Sequence, residues 1–252
     1  MTMTCWALVP ARGGSKSIPY KNLAPLAGTP LLDYGVRAIQ ASRRCVRIVG
    51  STEDFRIAEH FATLGVEVDR RPDKLAADDT PVADVAREWL TRTRAAGEAL
   101  PDVLVLIQPT SPFLRAEDAI RLLDALAVRP DARSGQTIVA CPHNAHAWNQ
   151  RILEEGLVRF MHAEERKRGY NKQTKPKLWL FGNLVAIRVT ALLEGDDFFA
   201  VPSVGIEIEW PYDFDLDTAA DLTLAEVLVT QGIVRLPHMQ SGETRRESVL
   251  HG

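Results

Sequence analysis

Short apolar runs alternate with longer amphipathic stretches, and this alternation constrains the fold more than any other feature. The runs are mostly Val, Ile, Leu and Ala, the pattern of buried strands, and lie at residues 6–9, 46–49 and 103–107. Helical periodicity follows each run, over residues 30–41, 54–64 and 117–127. Strands and helices that alternate in this way form right-handed βαβ units. The sequence therefore predicts an α/β fold with a mostly parallel sheet and helices on both faces.

Further elements are predicted from their boundary residues. Thr80 followed by Pro81 is typical of a helix start, with a threonine cap and proline at the first helical position, and this helix is predicted to run to about Arg94. A strand is predicted over residues 205–210 and a helix over residues 219–229.

The middle and the end of the chain depart from this alternation. Residues 142–177 are polar and aromatic, with a hairpin predicted around Glu155 and Gly156, so we interpret them as a small inserted segment. The insert either acts as a lid or a dimerisation element, or is a solvated surface excursion. Residues 1–237 are predicted to form one domain, and residues 238–252, which carry little apolar content, a flexible tail.

Composition excludes several classes of partner. With 252 residues, 46% hydrophobic content and a net charge of −3, the chain has a sizeable core and no global basic field, so neither nucleic acid nor a membrane is expected as a partner. Three cysteines, Cys5, Cys45 and Cys141, are far apart in sequence and lack C-x-x-C spacing. They argue against a disulfide framework or a thiolate zinc site and fit a reducing, cytoplasmic location.

A glycine-rich basic loop follows the first predicted strand. Residues 10–16 read Pro-Ala-Arg-Gly-Gly-Ser-Lys and are followed by Lys21 and Asn22. Backbone N–H groups at Gly13 and Gly14, the Ser15 hydroxyl and the charges of Arg12, Lys16 and Lys21 suit a triphosphate. The spacing matches neither a Walker loop nor a G-x-G-x-x-G fingerprint. The alternative is a flexible, solvated basic loop.

Other loops that follow predicted strands are expected to converge on this one, because ligands of parallel sheets bind at the carboxyl ends of the strands. Gln108 can both donate and accept, as reading a nucleobase edge requires, although it is alternatively an amide that stabilises its own loop. Arg71 can lay a guanidinium against a base or a phosphate.

Three alternate carboxylates, Asp213, Asp215 and Asp217, form the second chemical signal. In an extended chain they would point the same way, where mutual repulsion favours a bound cation such as Mg²⁺. The alternative is that Asp217 and Thr218 cap the helix that follows. His143 and His146 lack an E-x-x-H partner and give poor evidence for zinc.

Taken together, these motifs resemble those of the CMP-sialic acid synthetases, the N-acylneuraminate cytidylyltransferases. The resemblance covers most of residues 5–230. It rests on the loop at residues 10–16 with Lys21-Asn22, on residues 26–31 (Leu-Ala-Gly-Thr-Pro-Leu), 51–54 (Ser-Thr-Glu-Asp), 71–72 (Arg-Pro), 108–112 (Gln-Pro-Thr-Ser-Pro) and 215–218 (Asp-Leu-Asp-Thr). The Lys-Asn pair separates the chain from the Kdo cytidylyltransferases, which have Lys-Pro there.

The resemblance implies a Rossmann-like mononucleotide-binding fold, usually a homodimer, and Mg²⁺-dependent transfer of CMP from CTP to an acidic nine-carbon sugar with release of pyrophosphate. It implies that Arg12, Lys21 and Asp217 are catalytic, and that Asp215 and Asp217 ligate Mg²⁺. The nucleotide would be bound by Ala11, Gly13, Gly14, Ser15, Lys16, Asn22, Arg71, Thr80 and Gln108.

The chain departs from the family pattern where the acceptor binds. Where the family has an Arg-Arg-Gln stretch, this chain has Asn171, Lys172 and Gln173. By position, the resemblance implies Lys172, Gln173 and Asn183 as ligands of the acceptor. Lysine does not reproduce bidentate recognition of a carboxylate by arginine. This departure leaves three acceptor classes open: sialic acid, another nonulosonic acid, or a phosphonate. A non-catalytic nucleotide-binding module is a further alternative, against which Lys21 and the Asp215/Asp217 pair argue.

Overall fold

A computed structural model describes residues 3–77, 79–169 and 172–239. Its strands, in chain order, are β1 Cys5–Pro10, β2 Pro25–Leu26, β3 Thr29–Pro30, β4 Arg47–Thr52, β5 Glu67–Arg70, β6 Val103–Ile107, β7 Ser134–Ala140, β8 Arg151–Glu154, β9 Leu157–Phe160, β10 Trp179–Arg188 and β11 Ser203–Glu207. Its α-helices are α1 Leu31–Ser42, α2 Phe55–Thr63, α3 Val82–Ala95, α4 Ala116–Ala127, α5 Ala163–Arg168, α6 Val189–Leu193 and α7 Ala219–Thr230.

A seven-stranded sheet in the order β11-β7-β10-β6-β1-β4-β5 forms the centre of the fold. β1 pairs in parallel with both β4 and β6, and β10 pairs antiparallel with its neighbours β6 and β7. The predicted mostly parallel α/β sheet is thus confirmed. Because β10 runs against the other strands, its first residue, Trp179, lies beside the last residue of β7, Ala140.

Side chains of β1 alternate between two hydrophobic clusters, one on each face of the sheet. Cys5, Ala7 and Val9 pack with α1, α2 and α4, whereas Trp6 and Leu8 pack with α3 and α6. This alternation follows from the period of two along a strand. Helices therefore cover both faces, as predicted.

Two predicted boundaries are wrong. Pro81, not Thr80, is the N-cap of α3, and it makes no side-chain capping bond. β11 begins and ends earlier than predicted, because Tyr212 donates its N–H to the Glu209 carbonyl and Phe214 to the Pro211 carbonyl, so the chain turns after the strand. β4 ends three residues later than predicted, and the other predicted strands and helices lie within about two residues of their observed ends.

The segment 142–177 connects the adjacent ends of β7 and β10 and, in its described part, adds no strand to the main sheet. It contains short 3-10 turns, α5 and the antiparallel pair β8–β9, whose turn residues Glu155 and Gly156 both have positive φ. The predicted hairpin is confirmed. Among the described residues, no helix is both long enough and apolar enough to cross a lipid bilayer.

The C-terminal part of the chain folds back onto the N-terminal loop. Leu216 and Leu228 pack with Ile18, Leu26 and other residues of a third hydrophobic cluster. A 3-10 helix, Pro237–Met239, packs its last residue against the same cluster. The predicted flexible tail is therefore wrong for residues 238 and 239, and residues 240–252 lie outside the described residues.

Burial of His238 predicts a pH dependence of stability. Burial lowers the pKa of its imidazole to about 4, and its Nε2 atom is buried without a hydrogen bond. Unfolding restores an ordinary pKa near 6.5, so between these values the unfolded state binds the extra proton and stability falls as pH falls. Replacing His238 with glutamine is expected to reduce the loss of Tm between pH 7 and pH 5, as measured by thermal melts at several pH values. His162→Gln, in the inserted segment, is the control; equal slopes in wild type and H238Q would contradict the prediction.

Candidate nucleotide-binding site

A cavity of about 480 Å³ opens at the carboxyl ends of β1 and β6, within the usual size range of small-molecule sites. Most of the residues that sequence reasoning assigned to a nucleotide line it. They are Arg12, Gly14, Ser15, Lys16, Lys21, Asn22, Arg71, Thr80, Gln108 and Asp217. Ser17, Pro109 and Thr110 also line the cavity. Sequence reasoning gave them no role, although Pro109 and Thr110 belong to the 108–112 stretch that carries the resemblance. They directly follow predicted site residues, so proximity in the chain was the available signal.

Hydrogen bonds hold the glycine-rich loop at the end of β1. The Ala11 N–H donates to the Ser51 carbonyl at 3.0 Å, and the buried Asn22 amide donates to the Arg12 carbonyl at 2.9 Å. A Cβ atom at Gly14 would meet no heavy atom within 4 Å. The first residues of the loop are thus held in place, while Gly14 faces open space.

Gly13 packs against the start of α2 and does not face the cavity. A Cβ atom there would lie 2.6 Å from the Asp54 carboxylate, whose other oxygen accepts the N–H groups of Arg56 and Ile57 at the helix N-terminus. The Gly13 N–H donates to Glu53 Oε1 at 2.7 Å. The Gly13 N–H is therefore not free to bind a phosphate, contrary to the prediction. Ala11, assigned to the nucleotide through the resemblance, also uses its N–H within the protein, and neither residue lines the cavity.

Glu53 is the residue of this site that sequence reasoning missed. One of its oxygens accepts the Gly13 N–H, and the other, Oε2, is buried and makes no hydrogen bond within the described structure. The signal in the sequence was its place in the Ser-Thr-Glu-Asp stretch at residues 51–54, in which Glu53 was given no role. A carboxylate thus supports the loop from the side opposite the cavity lining.

Arg71 brings a half-buried positive charge to the cavity wall. Its guanidinium donates to the Ser51 carbonyl at 2.8 Å. Burial lowers the pKa of this guanidinium, the neighbouring charge of Arg12 acts in the same direction, and Glu53 opposes the change. A cation held in such surroundings gains from an anionic ligand.

Lys21, from the N-terminal part of the chain, and Asp217, from the C-terminal part, lie side by side at this cavity. The Lys21 ammonium donates to the Leu216 carbonyl at 3.0 Å and lies 3.5 Å from an Asp217 oxygen. The Leu216 N–H donates in turn to the Thr110 carbonyl at 2.8 Å. The predicted combination of an N-terminal anion loop with a distant carboxylate is thus present in one cavity.

The other two carboxylates of the predicted row lie elsewhere. Asp215 is exposed, and Asp213 has a buried oxygen without a hydrogen bond; neither lines the cavity. The turns after β11 break the extended geometry that the row required. Thr218 caps α7 in a capping box with Asp221, so the capping alternative is confirmed for Thr218 and leaves the Asp217 side chain facing the cavity. Among the described residues, no group of three or more His, Cys, Asp or Glu side chains is arranged to hold a metal.

Asn183 and Gln173, the two predicted acceptor residues whose side chains are described, do not meet. Asn183 is buried, donating to the Tyr212 carbonyl at 2.7 Å and accepting from the Thr137 hydroxyl at 3.1 Å, so it fixes the turn after β11 and does not face a cavity. Gln173 lines a second cavity of about 650 Å³ at the β7–β10 end, with Lys175, Lys177 and Trp179. The side chain of Lys172 lies outside the described structure.

Comparison with known proteins identifies the family. Residues 6–162, more than half of the chain, match the family described as Cytidylyltransferase. The chain belongs to the cytidylyltransferase family. This cytidylyltransferase is 28% identical over 232 residues to the CMP-N,N'-diacetyllegionaminic acid synthase of Legionella pneumophila, covering 90% of the chain and 97% of that protein.

Two further comparisons agree. N-acylneuraminate cytidylyltransferase A of Danio rerio is 35% identical over 120 residues, which are 46% of this chain and 27% of that protein. A solved CMP:2-keto-3-deoxy-manno-octonic acid synthetase complexed with CTP superposes with a TM-score of 0.68 at 17% identity, covering 91% of this chain and 99% of that one. The fold of this cytidylyltransferase is thus the Rossmann-like fold predicted from the resemblance.

Proposed function

We propose that this cytidylyltransferase transfers CMP from CTP to a hydroxyl group of an acidic, sialic acid-like sugar and releases pyrophosphate. The observation that carries the proposal is the single cavity in which the loop at residues 10–16 faces Arg71, Gln108 and the Lys21–Asp217 pair. Such a cavity offers cations to a triphosphate, an amide to a base and a carboxylate at the reacting end. The names of the relatives above support the same reaction.

The cavity residues divide by chemistry. Arg12, Ser15 and Lys16 offer charge and hydrogen bonds to the phosphates, whereas Gln108 and Thr80 offer hydrogen-bonding groups to the nucleoside. Asn22 acts on the ligand through the loop, because its amide holds the Arg12 carbonyl.

The reaction itself is an in-line displacement at the α-phosphorus. The acceptor oxygen forms a bond to phosphorus, the bond to the β-phosphate oxygen breaks, and pyrophosphate leaves. Catalysis of this kind consists mostly of positioning and charge neutralisation. Lys21 and Arg12 stabilise the charge that develops on the α-phosphate, and Asp217 orients the acceptor hydroxyl and takes its proton.

The donor set fits Mg²⁺ in part. Mg²⁺ binds through one or two carboxylates together with substrate phosphates and water, and Asp217 is the carboxylate that lines the cavity. We propose Asp217 as the protein ligand; Asp215, the second carboxylate implied by the resemblance, is exposed outside the cavity lining and is not part of this proposal. When bound there, Mg²⁺ neutralises phosphate charge and lowers the pKa of an adjacent hydroxyl.

The acceptor is proposed to lie in the second cavity. Gln173, Lys175 and Lys177 offer it amide and ammonium donors, which suit the carboxylate of a sugar acid. Both cavities lie at the same edge of the sheet, because Trp179 pairs with the last residue of β7. The proposal requires that a sugar acid bound there directs its hydroxyl toward Asp217.

We propose further that the enzyme is a homodimer of the cytoplasm, where CTP is available. Leu153, Leu157 and Val158 of the β8–β9 hairpin, together with Met161, are more than half exposed. Adjacent exposed apolar side chains on an inserted segment are typical of a surface covered by a partner. A second copy of the chain is the proposed partner.

Two substitutions at Glu53 test how the loop is held. Glu53→Ala removes the acceptor for the Gly13 N–H and is expected to raise the KM for CTP about 5-fold, because a net hydrogen bond contributes about 1 kcal/mol. Glu53→Gln keeps a carbonyl acceptor but removes a negative charge near the phosphates, so its KM is expected to be equal or lower. Steady-state kinetics at varied CTP compare the two; equal effects of both variants would contradict the proposed role.

Pyrophosphate release tests the proposed function directly. The purified enzyme is incubated with Mg²⁺, one of the four nucleoside triphosphates, and a panel of sialic acid, other nonulosonic acids and phosphonates. We expect release that requires CTP and a nonulosonic acid together, with the CMP-sugar detected by mass spectrometry. Release with a phosphonate alone would establish the alternative acceptor class. CTP binding without release from any acceptor would leave a nucleotide-binding module and overturn the proposal.

A further inference from the structure

Two cysteines that are 40 positions apart in the chain lie side by side. Cys5 is the first residue of β1 and is 2% exposed, and Cys45 is half-buried, two residues before β4. Their Sγ atoms are 2.7 Å apart. Both thiols are free. Their separation in sequence, which argued against a disulfide, is therefore not a separation in space.

The sheet holds this pair in place. The Val46 N–H donates to the Cys5 carbonyl at 2.9 Å, and Trp6 pairs with Arg47 in the next position of the ladder. The same register places Cys5 opposite Val46, so Cys45 is one residue from the position directly across from Cys5. Neighbouring strands lie about 4.8 Å apart, so a one-residue offset still leaves Cα atoms within the separations of about 4.4–6.8 Å found in disulfides. The backbone at this point therefore has the spacing that a bridge requires.

The nucleotide cavity does not use these thiols. Pro10, at the opposite end of β1, lines that cavity, and neither Cys5 nor Cys45 does. Cys141, the third cysteine, follows β7 and lines the second cavity. The pair is thus a chemically distinct feature at the amino end of the central strand.

We propose that Cys5 and Cys45 are a dithiol that a peroxide oxidises to an intramolecular disulfide, which ties the start of β1 to the segment before β4. The inference does not depend on the proposed function.

The chemistry balances with one peroxide. The more exposed Cys45 loses its proton, and its thiolate attacks one peroxide oxygen; the O–O bond breaks, which leaves a sulfenic acid and the first water. The Cys5 sulfur then attacks Cys45 Sγ, an S–S bond forms, the S–O bond breaks, and hydroxide leaves with the Cys5 proton as the second water. Two thiols are oxidised and one peroxide is reduced.

The reaction is expected to be slow at neutral pH. The hydrogen bond with Cys5, followed by burial, raises the pKa of the Cys45 thiol. Because the thiolate is the nucleophile, the oxidation rate is expected to increase as pH rises from 7 to 9. This pH dependence distinguishes a slowly oxidised structural pair from a fast peroxide sensor.

Peptide mapping tests the proposal on the full chain. The protein is treated with hydrogen peroxide at pH 9, remaining thiols are alkylated, and trypsin is added. We expect residues 1–12 and 45–47 to appear as one linked peptide, lost on reduction, with Cys141 alkylated. A loop of this length is also expected to raise Tm by about 10 °C in the oxidised protein.

Matched variants make the outcome decisive. Cys141→Ser is expected to keep both the linked peptide and the increase in Tm, whereas Cys45→Ser is expected to lose both. The proposal is overturned if Cys5 and Cys45 both remain open to alkylation, if either links to Cys141 or to a second chain, or if Cys45 stops at a sulfinic acid. A linked protein that melts no higher than the reduced one also overturns it, because the bridge would then not fit the fold.

Discussion

Replacing Lys21 with alanine is expected to reduce kcat with CTP by about 10²–10³-fold, the usual effect of removing one group that stabilises developing charge. Lys21 is 15% exposed in its side chain, lines the nucleotide cavity and is held by the Leu216 carbonyl beside Asp217. Steady-state pyrophosphate release measures the effect.

The fold is expected to survive this change. An ion pair with an exposed partner contributes about 0–1 kcal/mol, and Asp217 is 75% exposed, so Tm should fall by only a few degrees. Lys167→Ala, which breaks an exposed ion pair with Glu164 in the inserted segment, is the matched control and should retain wild-type kcat. Wild-type turnover by K21A would show that Lys21 does not act on the α-phosphate.

The central elements were predictable because they are buried and local. Trp6 and Leu8 alternate with Ala7 and Val9 between two apolar clusters, so both faces of β1 are apolar and the run is easily recognised. β7 was not predicted: it begins with Ser134, Gly135 and Gln136, whose polar groups give no strand pattern. β7 also pairs with β10, which follows it only after the inserted segment, and a local sequence pattern does not indicate such a distant pairing.

The site was predictable to the extent that it is contiguous in sequence. Arg12 to Lys16 follow one strand directly, so their residue types indicate an anion site without knowledge of distant contacts. Glu53 was missed because its role comes from a hydrogen bond to Gly13, 40 positions away. The same limit applies to Cys5 and Cys45, which only the pairing of β1 with β4 brings together.

The carboxylate row failed for a physical reason. It assumed that residues 213–217 continue the strand, but turns at Tyr212 and Phe214 redirect the chain, and Leu216 is fixed by the Thr110 carbonyl. Alternation of side chains holds only while the backbone is extended. Asp217 alone of the three therefore reaches the cavity lining.

Replacing Asp217 with asparagine is expected to reduce kcat by about 100-fold or more, since the change keeps the shape of the side chain and removes the charge that faces Lys21. The concentration of Mg²⁺ required for half-maximal rate is expected to rise, because the carboxylate that we propose as the metal ligand is lost. Tm is expected to be nearly unchanged, since the side chain is 75% exposed. Magnesium titrations of pyrophosphate release, with thermal melts of the same preparations, measure the three quantities.

Asp215→Asn is the matched control, because it makes the same chemical change two positions away at an exposed residue outside the cavity lining. It is expected to leave kcat and the magnesium requirement within about threefold of wild type, the range of ordinary surface substitutions. If D215N is as inactive as D217N, both carboxylates bind the ion and Asp215 must move toward the cavity when CTP binds. If D217N keeps wild-type turnover and magnesium dependence, then Asp217 neither holds the metal nor acts on the acceptor, and its contact with Lys21 is structural.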